Sequence, residues 1–104
     1  MKQYRIEVNI VDDHTLFCEG LAEAINQMPV ARVTHTFNTF EACWQALSEH
    51  RPDVLLLDIT IPGSGQESTV SPTKNGIAFC RQLISAYPRL KIIATTIHDE
   101  YSII

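Results

Sequence analysis

The chain has 104 residues, 45% of them hydrophobic, and a formal net charge of -4. That length suits one globular domain and is too short for two of ordinary size. No apolar run approaches the ~20 residues of a membrane-spanning helix, the N-terminal segment lacks the continuous apolar stretch of a signal peptide, and no basic stripe is present that would grip nucleic acid. We therefore expect a cytoplasmic domain that contacts neither membrane nor nucleic acid through this segment.

Two kinds of segment alternate along the chain. Runs rich in apolar and β-branched residues predict four strands, over residues 5–11, 31–37, 53–58 and 91–96. The third run, DVLLLD, is almost continuously apolar, which is typical of a parallel strand covered by helices on both faces. Each segment between the strands, apart from a loop rich in Gly, Ser, Thr and Pro over residues 60–75, has helical character.

Apolar residues spaced three and four positions apart predict three amphipathic helices, which begin near residues 15, 39 and 76. Asn38 or Thr39 is expected to cap the second helix. The apolar positions assigned to the helix faces are Leu16, Phe17, Gly20, Leu21, Ala24, Ile25 and Met28 in the first helix, Phe40, Cys43, Trp44 and Leu47 in the second, and Ile77, Cys80, Leu83, Ile84 and Tyr87 in the third.

This alternation of strands and helices predicts an α/β fold with a doubly wound parallel sheet and helices on both faces. Ligands of such folds bind beyond the carboxyl ends of the strands. Polar side chains stand at three of these ends, because Asp12 and Asp13 follow the first strand, Asp58 ends the third, and Thr95 and Thr96 end the fourth.

Three carboxylates at one sheet edge would repel one another unless a cation lies among them. Mg2+ suits such a place, since proteins commonly hold it with one or two carboxylates while waters and phosphate oxygens complete its shell. A carboxylate beside bound Mg2+ can also act as a nucleophile and form an acyl phosphate. The pattern therefore favours phosphoryl chemistry at the carboxyl edge of the sheet.

Four stretches carry a resemblance to a known family. They are IVDDHTLFCEGL at residues 10–21, RPDVLLLDITIPG at 51–63, NGI at 75–77 and KIIATTIHDEY at 91–101. Together they resemble the response-regulator receiver domains of two-component systems, particularly those attached to a helix-turn-helix DNA-binding domain. The resemblance covers nearly the whole chain and implies a flavodoxin-like sheet with the strand order 2-1-3-4-5.

The resemblance also implies roles for individual residues. Asp58 would accept the phosphoryl group, and the metal Mg2+ would be held by Asp12, Asp13, Asp58 and the backbone carbonyl of Thr60. The hydroxyl of Thr96 would act as the switch that senses phosphorylation. A sensor histidine kinase would be the donor, and an output domain, expected to bind DNA and control transcription, would lie outside this chain. The domain would phosphorylate and slowly dephosphorylate itself, as a switch rather than a metabolic enzyme.

The chain departs from the family pattern in two places. Residues 64–74, SGQESTVSPTK, lengthen the loop after Asp58 by about ten residues and are predicted to be an insertion. The family's active-site lysine, fifth strand and last helix have no counterpart here. Residues 1–104 are therefore expected to be a single receiver domain that is incomplete at its C-terminus, with a homodimer as one way to cover the exposed surface.

Two other functions are weighed. A receiver-like binding module that never takes phosphate would fail to bind Mg2+. A phosphatase with an aspartyl nucleophile, of the haloacid-dehalogenase type, would turn over phosphate esters continuously, but that type usually has a second Asp where Thr60 stands here.

Overall fold

Four parallel strands form the centre of the structure, a computed structural model that describes residues 5–59 and 76–95. The strands are β1 (Ile6–Val11), β2 (Ala31–Phe37), β3 (Val54–Asp58) and β4 (Lys91–Thr95), and they pair in the order β2-β1-β3-β4. Each bound agrees with its predicted position within one residue, and the order confirms the first four places of the predicted 2-1-3-4-5 sheet.

Three helices connect these strands: α1 (Thr15–Asn26), α2 (Phe40–Leu47) and α3 (Gly76–Ala86). The side chain of Thr39 accepts a hydrogen bond of 3.1 Å from the backbone N–H of Ala42, so Thr39 rather than Asn38 caps α2. Within the described ranges, none of the helices has the length and apolar character needed to cross a bilayer. The predicted loop and its insertion over residues 64–74 lie outside the described residues.

The larger hydrophobic core fills the space between the sheet and helices α2 and α3. Its buried members are Val11, Phe40, Cys43, Leu47, Leu55, Leu57, Phe79 and Leu83. A smaller core of Val8, Ile10 and Cys18, with Val54 and Leu56 packed against it, lies on the face that α1 covers. Successive residues of β3 thus point to opposite cores, which explains why this strand is apolar on both faces.

The buried face of α1 differs from the predicted one. Leu16, at 82% relative exposure, and Phe17 lie in solvent, whereas Cys18 and Ile25 are buried and Leu21 packs against the smaller core. The buried stripe consists of residues spaced three and four apart, namely Cys18, Leu21 and Ile25. Leu16 lies about 200° around the helix from Cys18 and therefore faces away from this stripe.

The buried face of α3 also differs from the prediction. Ile77 and Ile84 are 58% and 55% exposed, while Phe79, which was not assigned to the apolar face, and Leu83 are completely buried. The ring of Phe79 stacks on that of Phe40 at 4.6 Å between centroids and meets the edge of Trp44. The large aromatic side chain therefore determines which side of α3 faces the sheet.

Candidate functional site: an acidic cluster at the carboxyl edge of the sheet

Two neighbouring strands deliver the acidic side chains to one place. Val11 and Leu57 are register partners in the β1–β3 pair, so the residues that follow them, Asp12 and Asp58, leave the sheet side by side. Asp12 is 2% exposed and Asp58 is 0% exposed. Two carboxylates buried this deeply and this close together repel one another. Such an arrangement is typical of functional sites.

Asp13 and His14 complete the cluster at its solvent side. Asp12, Asp13, His14 and Asp58 each offer a ligand atom, and these four atoms lie within 4.8 Å of one another. Asp13 and His14 are exposed, whereas the other two are buried. The cluster is thus open toward solvent on one side and closed on the side of the sheet, as a site for an incoming group requires.

The ring contacts of His14 were not predicted from the sequence, which indicated only a supporting role beside the acidic pair. Its backbone N–H and its ring Nδ1 both contact Oδ1 of Asp12, at 2.8 and 2.9 Å. The same Nδ1 lies 3.2 Å from Asp13 and 3.8 Å from Asp58. The hydrogen bond with Asp12 raises the pKa of His14 above its usual 6.5, burial opposes this rise, and the charges of the three carboxylates add to it.

A protonated His14 therefore acts as a cation among three carboxylates. In the sequence, the only indication of this role is that His14 directly follows the acidic pair. Adjacency alone does not predict that the ring of His14 turns toward all three carboxylates rather than toward solvent.

The donor chemistry of the cluster suits a hard divalent cation. Three carboxylates supply oxygen ligands, and the open side leaves room for water or phosphate oxygens, which is the coordination that Mg2+ prefers. None of the cysteines described in the structure belongs to the cluster, so the donor set is not that of a soft-metal site.

The remaining predicted site residues are placed as follows. Thr60, whose carbonyl was predicted to bind the metal, and Thr96, the predicted switch, lie outside the described residues. Thr95 pairs in register with Asp58, and its hydroxyl lies 3.4 Å from the carbonyl of Leu57, to which it donates. The hydroxyl of Thr95 is thus engaged with the neighbouring strand.

Comparison with known proteins identifies relatives of this chain. The family model described as "Response regulator receiver domain" matches residues 8–104. Transcriptional regulatory protein DegU of Brevibacillus brevis is 30% identical over 102 residues, which cover 98% of this chain and 39% of DegU. This chain therefore spans about 40% of the length of the curated relatives that it matches.

Solved structures share the fold. RcsB from Salmonella enterica serovar Typhimurium, bound to promoter rprA in the presence of the phosphomimetic BeF3-, aligns with a TM-score of 0.77 at 24% identity, over 92% of this chain and 50% of that one. A structure of two RcsB dimers bound to two parallel DNAs aligns with a TM-score of 0.77 at 24% identity, over 90% and 43%. The topology, the acidic cluster and the family match agree, and the chain belongs to the response regulator receiver domain family.

Proposed function

We propose that this chain accepts a phosphoryl group on Asp58 from a sensor histidine kinase in a Mg2+-dependent reaction, and thereby controls an output domain. The observation that carries the proposal is the position of Asp58. Its carboxylate is completely buried at the end of β3, and a ligand oxygen lies within 4.8 Å of those of Asp12 and Asp13. A lone buried carboxylate would be inert, whereas one beside a divalent-cation site can serve as a nucleophile.

The proposed transfer forms one bond and breaks one. A carboxylate oxygen of Asp58 attacks the phosphorus of the kinase's phosphohistidine, and the P–N bond breaks. The electron pair stays on the imidazole nitrogen, which then takes a proton from solvent. When bound, Mg2+ would neutralise the negative charge that gathers on the phosphoryl oxygens. Asp12 and Asp13 would hold it, with the carbonyl of Thr60 as a further proposed ligand.

The proposed switch acts through the neighbouring strand. Thr96 directly follows Thr95, which is the register partner of Asp58 across the β3–β4 pair. We propose that the hydroxyl of Thr96 bonds a phosphoryl oxygen on Asp58. A small displacement at the end of β4 would then change a surface that a partner recognises, which is how a local charge change produces a wider response.

The names of the relatives support the proposal that the output domain binds DNA. DegU is a transcriptional regulatory protein, and RcsB has been solved on promoter DNA and as dimers on DNA. We propose that this domain likewise governs a DNA-binding domain outside the present chain, that it forms a homodimer, and that it acts in the cytoplasm, where its kinase obtains ATP.

Intact-mass measurement after incubation with acetyl phosphate and Mg2+ tests the proposal. We expect one added phosphoryl group on the chain, no addition without Mg2+, and none on Asp58→Asn. Asp53→Asn is the matched control, because Asp53 lies directly before β3, at the opposite end of the strand from the cluster. Continuous release of phosphate from esters would instead favour the aspartyl phosphatase. An unmodified chain that also fails to bind Mg2+ would favour the binding module.

A further inference from the structure

Gly76, the first residue of α3, lies unusually close to the backbone that follows Asp58. A Cβ atom built on this glycine would lie 2.3 Å from Cα of Ile59 and 2.6 Å from its carbonyl oxygen. Real Cβ atoms essentially never come within 3.0 Å of such atoms, and ordinary contact begins at 3.4 Å. Any side chain at this position would therefore force the two backbone segments apart by about 1 Å.

Ile59 is held from a second direction. Its backbone N–H donates a 3.0 Å hydrogen bond to the carbonyl of Thr95, at the end of β4. The residue that immediately follows Asp58 is thus enclosed between the end of β4 and the start of α3. Its position determines the path of the backbone through Asp58.

The structure also indicates which side would move if Gly76 carried a methyl group. Helix α3 is anchored by Phe79 and Leu83, which are both completely buried, and Phe79 is stacked on Phe40. Ile59 is half-buried and stands just beyond the end of β3, where its backbone is held by the hydrogen bond to Thr95. The side chain of Ile59 packs only partly against the same core. Shifting two completely buried side chains is harder than shifting one half-buried side chain and stretching one hydrogen bond, so Ile59 would yield first.

We propose that Gly76 is a positioning residue for phosphoryl acceptance. Its missing side chain allows α3 to pack against the backbone of Ile59, and this contact fixes the direction of the Asp58 carboxylate. The inference rests on the proposed function of Asp58. The inference adds that Gly76, seventeen positions after Ile59 in the chain, helps to set the geometry of the phosphoryl acceptor.

Gly76→Ala and Gly20→Ala form the test pair. Both place alanine in a helix, but a Cβ at Gly20 would meet nothing within 4 Å. The rate of phosphorylation by acetyl phosphate at saturating Mg2+ is measured by intact mass, with the folded fraction taken from far-UV circular dichroism. Since a misplacement of ~1 Å can slow a reaction by about 100-fold, we expect Gly76→Ala to be about 10- to 100-fold slower per folded molecule. Gly20→Ala should match the original chain.

Calorimetric titration measures the affinity for Mg2+ as a second readout. If Gly76 had a purely structural role, this affinity would be unchanged in the folded variant. We expect folded Gly76→Ala to bind Mg2+ several-fold more weakly, while Gly20→Ala binds it normally. If Gly76→Ala is poorly folded, the double variant with Gly20→Ala, which gains helix propensity, is measured instead.

The outcomes separate the two proposals. If the original chain is phosphorylated and folded Gly76→Ala reacts at the same rate with the same Mg2+ affinity, the positioning role is overturned and the proposed function stands. If even the double variant cannot fold in a stabilising osmolyte, Gly76 serves folding instead, which also overturns the positioning role. If the original chain takes no phosphoryl group, the proposed function itself has failed.

Discussion

Asp58→Asn is expected to make the metal-free chain more stable, because the Asp58 carboxylate lies close to two other carboxylates in the folded state. At an effective dielectric constant of about 20, two like unit charges at 4.8 Å repel by about 3.5 kcal/mol. Asp58 has two such neighbours, Asp12 and Asp13. Solvent around the exposed Asp13 and the imidazolium of His14 cancels much of this repulsion, so we expect a net gain of about 1–3 kcal/mol.

Urea denaturation in the presence of a chelator measures this gain. With an m-value of about 1–3 kcal/mol/M, the midpoint of Asp58→Asn should rise by about 1 M. Saturating Mg2+ should stabilise the original chain more than the variant, since a ligand that binds only the folded state adds to its stability. Asp53→Asn keeps a side-chain oxygen that can accept the 2.8 Å hydrogen bond from the backbone N–H of Glu7, so its midpoint should change little. An unchanged or lowered midpoint for metal-free Asp58→Asn would refute the argument that the carboxylates repel one another in the folded state.

Two further predictions concern the surroundings of the cluster and the end of α1. The pKa of His14 is raised on folding by its hydrogen bond to Asp12, so its stabilising effect is present below about pH 6.5 and is lost as pH rises through the raised value. The metal-free chain should therefore lose more stability than His14→Gln between about pH 6 and about pH 8 in urea titrations, and parallel curves would contradict this. Arg5 donates from Nη2 to the carbonyls of Asn26, Met28 and Ala31, but its buried Nε finds no acceptor among the described residues. Arg5→Met, which keeps the apolar stem, should lower the unfolding free energy by about 1 kcal/mol, and a change near zero would mean that solvent replaces these bonds without loss.

The strands could be predicted from the sequence because their signals are local. β2 begins at Ala31 and ends at Phe37 as predicted, and the bounds of β3 differ by one residue because Asp53 precedes the strand. A short β-branched or apolar run between proline and polar residues admits few alternative boundaries. The convergence of Asp12 and Asp58 followed from the same information, since parallel strands bring their carboxyl ends to one edge.

The orientation of the helices could not be predicted in the same way. In α3, Ile77 and Ile84 form one apolar stripe and Phe79 and Leu83 form another, and spacing alone does not choose between them. The choice is made by tertiary packing, because the ring of Phe79 fills a space lined by Phe40 and Trp44 that exists only once α2 is in place. The contacts of His14 were missed for a similar reason, as a side-chain rotamer is not encoded by spacing.

The contact between Ile59 and Gly76 also makes the domain tolerant of changes in chain length. Gly76 lies against the backbone of Ile59. The two residues that flank the intervening sixteen are therefore held close together. By polymer theory, closing a loop of sixteen rather than about six residues costs less than about 1 kcal/mol. Insertions such as the one proposed for residues 64–74 can thus accumulate beside the acidic cluster during evolution while the framework that holds Asp58 keeps its dimensions.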